Sequence, residues 1–172
     1  MKTVRVISKV LLAITRLIAL GYFFSFLLSA IALSTGWSLK LVKDKAERFV
    51  ILYPFTDSRF LLGDYESGYI FMFLLILGSY AFFFWTLGNV FKVFNQVKLF
   101  TQKGISYLKW FYISNLTVPL AATILISVVY EVESPVAEGL IVLHALLGVF
   151  TYFIAAIFKQ GVSLQNEQDL II

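Results

Sequence analysis

The side chain with the widest chemical repertoire in this sequence is His144, the only histidine among 172 residues. An imidazole can bind a metal, carry protons or act as a general base, but each role needs neighbours of matching chemistry. The sequence has no cysteine, and the apolar run at 139–158 that holds His144 contains no charged residue. A buried, hydrogen-bonded histidine within a helix is therefore the favoured interpretation, and a functional role is the alternative.

A second polar group interrupts the apolar run at 110–130, where Asn115, Thr117 and Pro119 follow each other at alternate positions. Proline kinks a helix and frees a carbonyl, which a nearby Thr or Asn can satisfy. This structural role is favoured for the group. The alternative is a ligand site in which Asn115, Pro119 and His144 line a path between helices.

Sequence patterns for catalysis are missing. The chain contains no phosphate-binding glycine loop, no nucleophile elbow and no HExxH motif. The acids Glu131, Glu133 and Glu138 lie close together, but their spacing matches no calcium loop. We therefore expect neither an enzyme nor a cofactor or metal site.

Composition places the chain in a lipid bilayer. Hydrophobic residues make up 60% of it, charged residues only 14%, and the mean hydropathy is +0.88, whereas soluble domains carry about a quarter charged residues. The net charge of +4 sits at the ends of apolar segments, where membrane topology accounts for it. Direct nucleic-acid binding is not expected.

The apolar runs predict a single integral membrane domain over residues 1–172, an all-α bundle of four transmembrane helices. Each run is close to the 20 or so residues that a spanning helix needs. The predicted spans are 10–33, 68–91, 107–130 and 135–158. They leave an outer loop at 34–67, a cytoplasmic loop at 92–106 and a cytoplasmic tail at 159–172.

Charge asymmetry predicts the orientation. The segment at 91–110, which includes the loop after the second span, carries Lys92, Lys98, Lys103 and Lys109 without an acid. With this loop and both termini on one side, that side holds nine cations against two acids, and the other side holds five against eight. Because positive charge is retained in the cytoplasm, we expect both termini to be cytoplasmic and the protein to be multi-pass in a bacterial inner membrane. Arg16 is then expected to extend its side chain to the inner interface.

The outer loop contains a short β-prone run, FVILY at 49–53, which Pro54 ends. The turn-forming residues at 56–58 follow, and the chain can return over 59–62. A small extracytoplasmic β-hairpin between the first two helices is predicted, supported by the helix ends. Two helix starts are also predicted: Thr101 is an N-cap for the third helix, and Ser134 with Pro135 begins the fourth.

The central segment VKLFTQKGISYLKW and the ending IFKQGVSLQNEQDLII, together with four spans, resemble the bacterial membrane family called domain of unknown function 2975. In that family an aromatic, a helix start and a basic residue precede the third span, as Phe100, Thr101 and Lys109 do here. Leu99 departs from the pattern, since proline is common at its position. The residues that fit the family's tail pattern are Phe158, Gly161, Leu164, Glu167, Asp169 and Ile171.

The resemblance implies no established catalytic activity. Members are often encoded beside a small helix-turn-helix regulator of the Cro/CI type, which implies an interaction or regulatory protein with such a cytoplasmic partner. The partner-binding residues are then expected on the cytoplasmic face: Lys98, Phe100, Lys103, Lys109, Gly161, Leu164, Glu167 and Asp169. A tail that folds back on the bundle is the alternative for this segment.

Two other functions stay open. One is a small transporter or channel subunit, using the intramembrane polar residues. The other is an accessory subunit of a larger membrane complex, for which the aromatic run at 82–85 supplies a contact face; lipid contact explains the same residues equally well. The oligomeric state is not predicted.

Overall fold

The four apolar runs fold as four long helices, because a backbone in hydrocarbon must satisfy its hydrogen bonds within its own segment. The computed structural model describes residues 2–43, 47–96, 98–129 and 135–169. All four helices are long and apolar enough to span a membrane, which confirms the predicted fold class. The helices are α1 (Lys2–Thr35), α2 (Ser67–Phe94), α3 (Gln102–Val129) and α4 (Pro135–Asp169).

Each helix packs mainly on its neighbour in sequence: α1 on α2, α2 on α3, and α3 on α4. A three-stranded sheet lies between α1 and α2, and we call its side of the bundle the sheet end. At the opposite side, which we call the tail end, the loop after α2 contacts the carboxyl-terminal part of α4. The rings of Phe100 and Phe158 meet there at 5.1 Å. The predicted spans at 10–33, 68–91 and 135–158 lie within helices, and residue 130 of the third lies outside the described residues.

Small side chains bring α1 close to α2. The buried face of α1 includes Ser8, Thr15, Ala19, Ser29 and Ala32, and small residues are what allow helices to approach closely in lipid. On α2, a Cβ added at Gly88 would lie 3.1 Å from the hydroxyl oxygen of Thr15. The α1–α2 contact therefore depends on backbone proximity.

The start of α3 is capped as predicted. The backbone N–H of Gly104 donates to the hydroxyl oxygen of Thr101 at 3.0 Å, the geometry of an N-cap. The Thr101 hydroxyl in turn donates to the side-chain oxygen of Gln96 at 3.1 Å, which ties the loop to the end of α2. Ser134, the predicted cap of α4, and the acids Glu131 and Glu133 lie outside the described residues.

The sheet contains the predicted hairpin and one additional strand. Its strands are β1 (Leu39–Lys43), β2 (Glu47–Leu52) and β3 (Arg59–Asp64), antiparallel in the order β1-β2-β3. Strand β1 was not predicted, because its LKLVK pattern is short and lies within a charged stretch. A third strand pairs the open edge of β2, which removes the weakness of an isolated hairpin.

The central strand anchors the sheet to the helices. Phe49 and Ile51 alternate along β2 and are fully buried, in one cluster with Leu28 and Ala32 of α1. The ring of Phe49 also meets that of Phe73 on α2 at 5.6 Å. The sheet is therefore held by helix ends, as the sequence analysis expected.

An exposed ion pair connects β1 to the turn after β2. The ammonium of Lys40 donates to a carboxylate oxygen of Asp57 at 2.8 Å, and this hydrogen bond lowers the pKa of Asp57 below its ordinary value. Because the folded-state pKa is lowered, the stabilisation is present above the ordinary aspartate pKa and is lost as pH falls through the lowered value. Both side chains are largely exposed, so the pair contributes little to stability.

We expect Gly63→Ala to destabilise the docking of the sheet by about 1–3 kcal/mol, the usual cost of overpacking. A Cβ at Gly63 would lie 2.5 Å from the ring of Phe49 and 2.6 Å from that of Tyr69. Chemical unfolding in detergent micelles, followed by tryptophan fluorescence, measures the loss. Gly21→Ala is the matched control, because nothing lies within 4 Å of a Cβ at that position; equal stability of the two variants would contradict this account of Gly63.

Candidate functional site

Three helices contribute one polar side chain each to a group inside the bundle. Tyr80 lies on α2, Asn115 on α3 and His144 on α4, and we call the group the buried polar cluster. Asn115 and His144 are each only 1% exposed. The structure thus brings together two of the three predicted intramembrane residues and adds Tyr80, which the sequence analysis did not identify.

The hydrogen bonds of the cluster favour one tautomer of the His144 ring. The side-chain amide of Asn115 donates to the backbone carbonyl of His144 at 2.6 Å. The amide oxygen therefore faces Nδ1 of the His144 ring, 2.8 Å away, and accepts a hydrogen bond from a protonated Nδ1. In the neutral ring, Nε2 then accepts from the Tyr80 hydroxyl at 3.4 Å.

Aromatic and apolar groups enclose the cluster. The ring of Phe83 stands edge-on to His144, with centroids 5.0 Å apart. One helical turn after His144, α3 and α4 approach so closely that a Cβ at Gly148 would lie 2.6 Å from the side chain of Leu116. A paired amide and imidazole in such surroundings hold one register of α3 against α4, because any slip leaves buried polar atoms without partners.

Pro119 lies one turn from the cluster in α3, and its side chain is less than 2% exposed. The hydroxyl of Thr117 donates to the carbonyl of Ile113 at 2.9 Å, and the amide of Asn115 crosses to α4. Both side chains expected to satisfy the carbonyl freed by Pro119 therefore bond elsewhere. Pro119 itself packs in the interior and adds no polar group to the cluster.

At the tail end, two of the predicted partner-binding residues contact each other. Phe100 is partly buried and packs directly on Gly161, where a Cβ would lie 2.6 Å from its ring. The same ring stands edge-on to Phe158. Phe100 and Gly161 therefore hold the loop after α2 against α4.

Of the six other predicted residues at the tail end, five lie on its exposed surface. Lys98, Lys103 and Lys109 are exposed, as are Leu164 and Glu167. The ammonium of Lys103 lies 5.9 Å from the ring centroid of Tyr107. The exposed part of the tail end therefore offers lysines from the loop and α3, and a mixed apolar and acidic surface from α4.

The tail continues as helix. Val162 is the last buried residue described in α4, and the residues at 163–168 are exposed up to the helix end at Asp169. The side chain of Asp169 and residues 170–172 lie outside the described part of the chain. Over the described residues, the tail therefore extends α4 and does not fold back across the bundle.

A family model described as "Protein of unknown function (DUF2975)" matches residues 40–172, which is well over half of the chain. The chain belongs to this family. Comparison with curated proteins and with solved structures found no match. The part of the chain that matches the DUF2975 model begins in β1 and includes the buried polar cluster, the loop after α2 and the carboxyl-terminal part of α4.

Outside the DUF2975 match, α1 carries a further polar site that the sequence analysis had assigned to the membrane interface. The guanidinium of Arg16 donates to the backbone carbonyl of Trp85 at 3.0 Å and to the side-chain oxygen of Asn89 at 2.6 Å. It also stacks on the Trp85 ring, 3.7 Å from the centroid. Arg16 thus binds α2 and fixes α1 against it. The sequence signal that could have indicated this contact was the spacing of Trp85 and Asn89, which lie one helical turn apart.

We expect Asn115→Ala to destabilise the bundle by about 1–3 kcal/mol, because the His144 ring loses its partner in the interior. Unfolding by sodium dodecyl sulfate, followed by circular dichroism, measures the effect. Thr117→Val is the control on the same helix, since the Thr117 hydroxyl bonds only within α3 in the described structure.

A double-mutant cycle with His144→Phe isolates the pair. We expect a coupling of about 0.5–1.5 kcal/mol, in the range known for interhelical hydrogen bonds in membrane proteins. If the losses of stability are strictly additive in the double variant, Asn115 and His144 do not stabilise the bundle through a direct interaction.

Proposed function

We propose that this multi-pass membrane protein is non-enzymatic and binds a cytoplasmic protein at the tail end. The observation that carries the proposal is the extension of α4 beyond Val162, where Leu164 is 60% exposed on a helix that runs to Asp169. An exposed leucine on a polar helical surface is a ready anchor for a groove on a partner.

The length of α4 supports a projecting helix. Its 35 residues correspond to about 52 Å at the helical rise, while the hydrocarbon core of a bilayer is about 30 Å thick. Ala155, Phe158 and Val162 are still buried in the bundle, and the exposed segment at 163–168 follows Val162 directly. The excess length therefore accumulates at the tail end and lies in water.

The charges support a cytoplasmic position for the tail end. Lys92, Lys98 and Lys103 surround the loop after α2, and none of them forms an ion pair with a described carboxylate. Retention of positive charge during insertion places such a loop in the cytoplasm. Both termini and the docking surface then face the cytoplasm of a bacterial cell, with the sheet outside the inner membrane.

The partner that we propose is a small helix-turn-helix regulator of the Cro/CI type, on the strength of the gene neighbourhood that the family resemblance implies. Lys98 and Lys103 lie beside a helix with exposed Leu164 and Glu167. A partner with an apolar groove and an acidic rim fits the leucine and the lysines together. Binding would retain the regulator at the membrane and away from DNA.

The buried polar cluster favours a second candidate, a small transporter or channel subunit, because intramembrane polar groups often mark a solute path. Its hydrogen bonds are made between α2, α3 and α4 themselves, which supports a structural role more directly. Solute flux into liposomes that contain the protein tests this candidate, with Asn115→Leu as the variant. An accessory role in a larger membrane complex would appear as co-purification with that complex.

We expect Leu164→Asp to reduce recovery of the soluble partner at least tenfold, because a hot-spot leucine is worth more than about 1.4 kcal/mol. The measurement is purification of an amino-terminally tagged chain from native membranes in mild detergent, with quantitative mass spectrometry. This variant tests the docking surface more specifically than deletion of 161–172, because the deletion also removes the packing contacts of Gly161 and Val162.

Gln165→Asp is the matched control, because it adds the same charge at the next exposed position. A stoichiometric DNA-binding protein that is recovered with wild type and Gln165→Asp but lost with Leu164→Asp supports the proposal. Recovery that does not change with Leu164→Asp contradicts this docking surface.

The orientation is tested separately by single cysteines, since the chain has none of its own. We expect a membrane-impermeant maleimide to label Ser58→Cys, at the sheet end, in intact spheroplasts. Gln165→Cys, at the tail end, should be labelled only after the membrane is opened. The reverse pattern would overturn the cytoplasmic position of the tail end.

A further inference from the structure

A groove of about 780 Å³ opens between α3 and α4 at the tail end. Along α3 it is lined by residues at 102, 105, 109 and 112, and along α4 by residues at 152, 155, 156, 159, 160 and 163. These spacings of three and four place each set on one helical face. We call this feature the α3–α4 groove.

Polarity changes along the α3–α4 groove. Towards the middle of the bundle its walls are the rings of Tyr112 and Tyr152, which meet edge-on at 5.5 Å, with the small side chains of Ala155 and Ala156. Towards the tail end most of the wall is basic or carries amides, and its residues are Gln102, Ile105, Lys109, Lys159, Gln160 and Ser163. The groove is therefore apolar at its inner end and cationic at its outer end.

Within the described residues, neither cation of the groove has an ion-pair partner. Lys109 on α3 and Lys159 on α4 are both exposed, and neither forms an ion pair with a described carboxylate. Two unpaired ammonium groups that face one groove favour an anionic occupant. The side-chain amides of Gln102 and Gln160 can donate further hydrogen bonds to the oxygens of such a group, whereas the Ser163 hydroxyl donates to the Glu167 carboxylate at 3.4 Å.

We propose that the α3–α4 groove binds one anionic glycerophospholipid, with its phosphate between Lys109 and Lys159 and an acyl chain along Tyr112, Tyr152 and the alanines. The cationic end of the groove matches the phosphate of a phospholipid, and the apolar end matches its acyl chain. A soluble anion would leave the apolar end without a contact. The site shares Lys109 with the residues expected to bind the protein partner, but Leu164, the proposed anchor for that partner, does not line the groove.

The test is native mass spectrometry of the full chain in detergent micelles, with phosphatidylglycerol or phosphatidylcholine of the same acyl chains added. We expect wild type to bind phosphatidylglycerol several-fold better than phosphatidylcholine. Lys109→Gln and Lys159→Gln should each weaken phosphatidylglycerol binding about 5-fold, the usual effect of one lysine at an anionic lipid surface. Circular dichroism and gel filtration show that each variant is folded.

Lys98→Gln and Lys103→Gln are the matched controls, because these exposed lysines lie outside the groove. Equal losses in the controls and the groove variants would overturn the site, since general attraction of lipid to a basic surface then explains the binding. No preference of wild type for phosphatidylglycerol would overturn it as well.

A second variant distinguishes binding of a lipid from binding of a soluble phosphate. Ala156→Leu fills the apolar half without touching the lysines, and we expect it to weaken phosphatidylglycerol binding while competition by inorganic phosphate stays absent. If inorganic phosphate at millimolar concentration displaces the lipid, or if Ala156→Leu leaves lipid binding unchanged, the site binds the phosphate group alone and the lipid proposal is wrong.

Discussion

The structure depends on one constraint: a polar group in hydrocarbon has no water to bond to, so it must find its partner within the protein. Helices meet this requirement for the backbone, which explains why the four apolar runs are helical throughout the described residues. The same requirement selects the side-chain contacts. Asn115 and His144 satisfy each other across α3 and α4, and Arg16 is satisfied by α2 through a carbonyl, an amide oxygen and the face of Trp85. Polar residues in this chain thus specify which helix faces which.

The distribution of polar contacts also explains how the helices are paired. Small residues let α1 lie close to α2, and Arg16 holds that contact near the tail end, while Phe49 and Ile51 of the sheet hold it at the other end. The buried polar cluster connects α2, α3 and α4 in the middle of the bundle. Each contact lies at a different height, so together they fix both position and register.

Helix count and type, the hairpin and the Thr101 cap were all predictable from the sequence, because each depends on periodicity or on residues that are close in the chain. The partners of Asn115, His144 and Arg16 were not, since they lie 29 to 73 residues away and depend on which faces meet. Phe100 and Gly161 show the same limit. Their presence in a recognisable pattern suggested a partner surface, while the structure shows that they contact each other. Strand β1 was missed because its short sequence does not indicate a strand by itself and forms one by pairing with β2.

The course of α4 explains why both of the surfaces proposed for binding involve its outer half. At Gly148 the helix touches α3 through Leu116, and at Gly161 it touches the loop through Phe100. Between these two close contacts, the small side chains of Ala155 and Ala156 do not fill the space towards α3, and the α3–α4 groove opens. Beyond Gly161, Val162 is the only one of the described side chains of α4 that is still buried. The two surfaces proposed for binding therefore occur where α4 continues but its packing partners do not reach it.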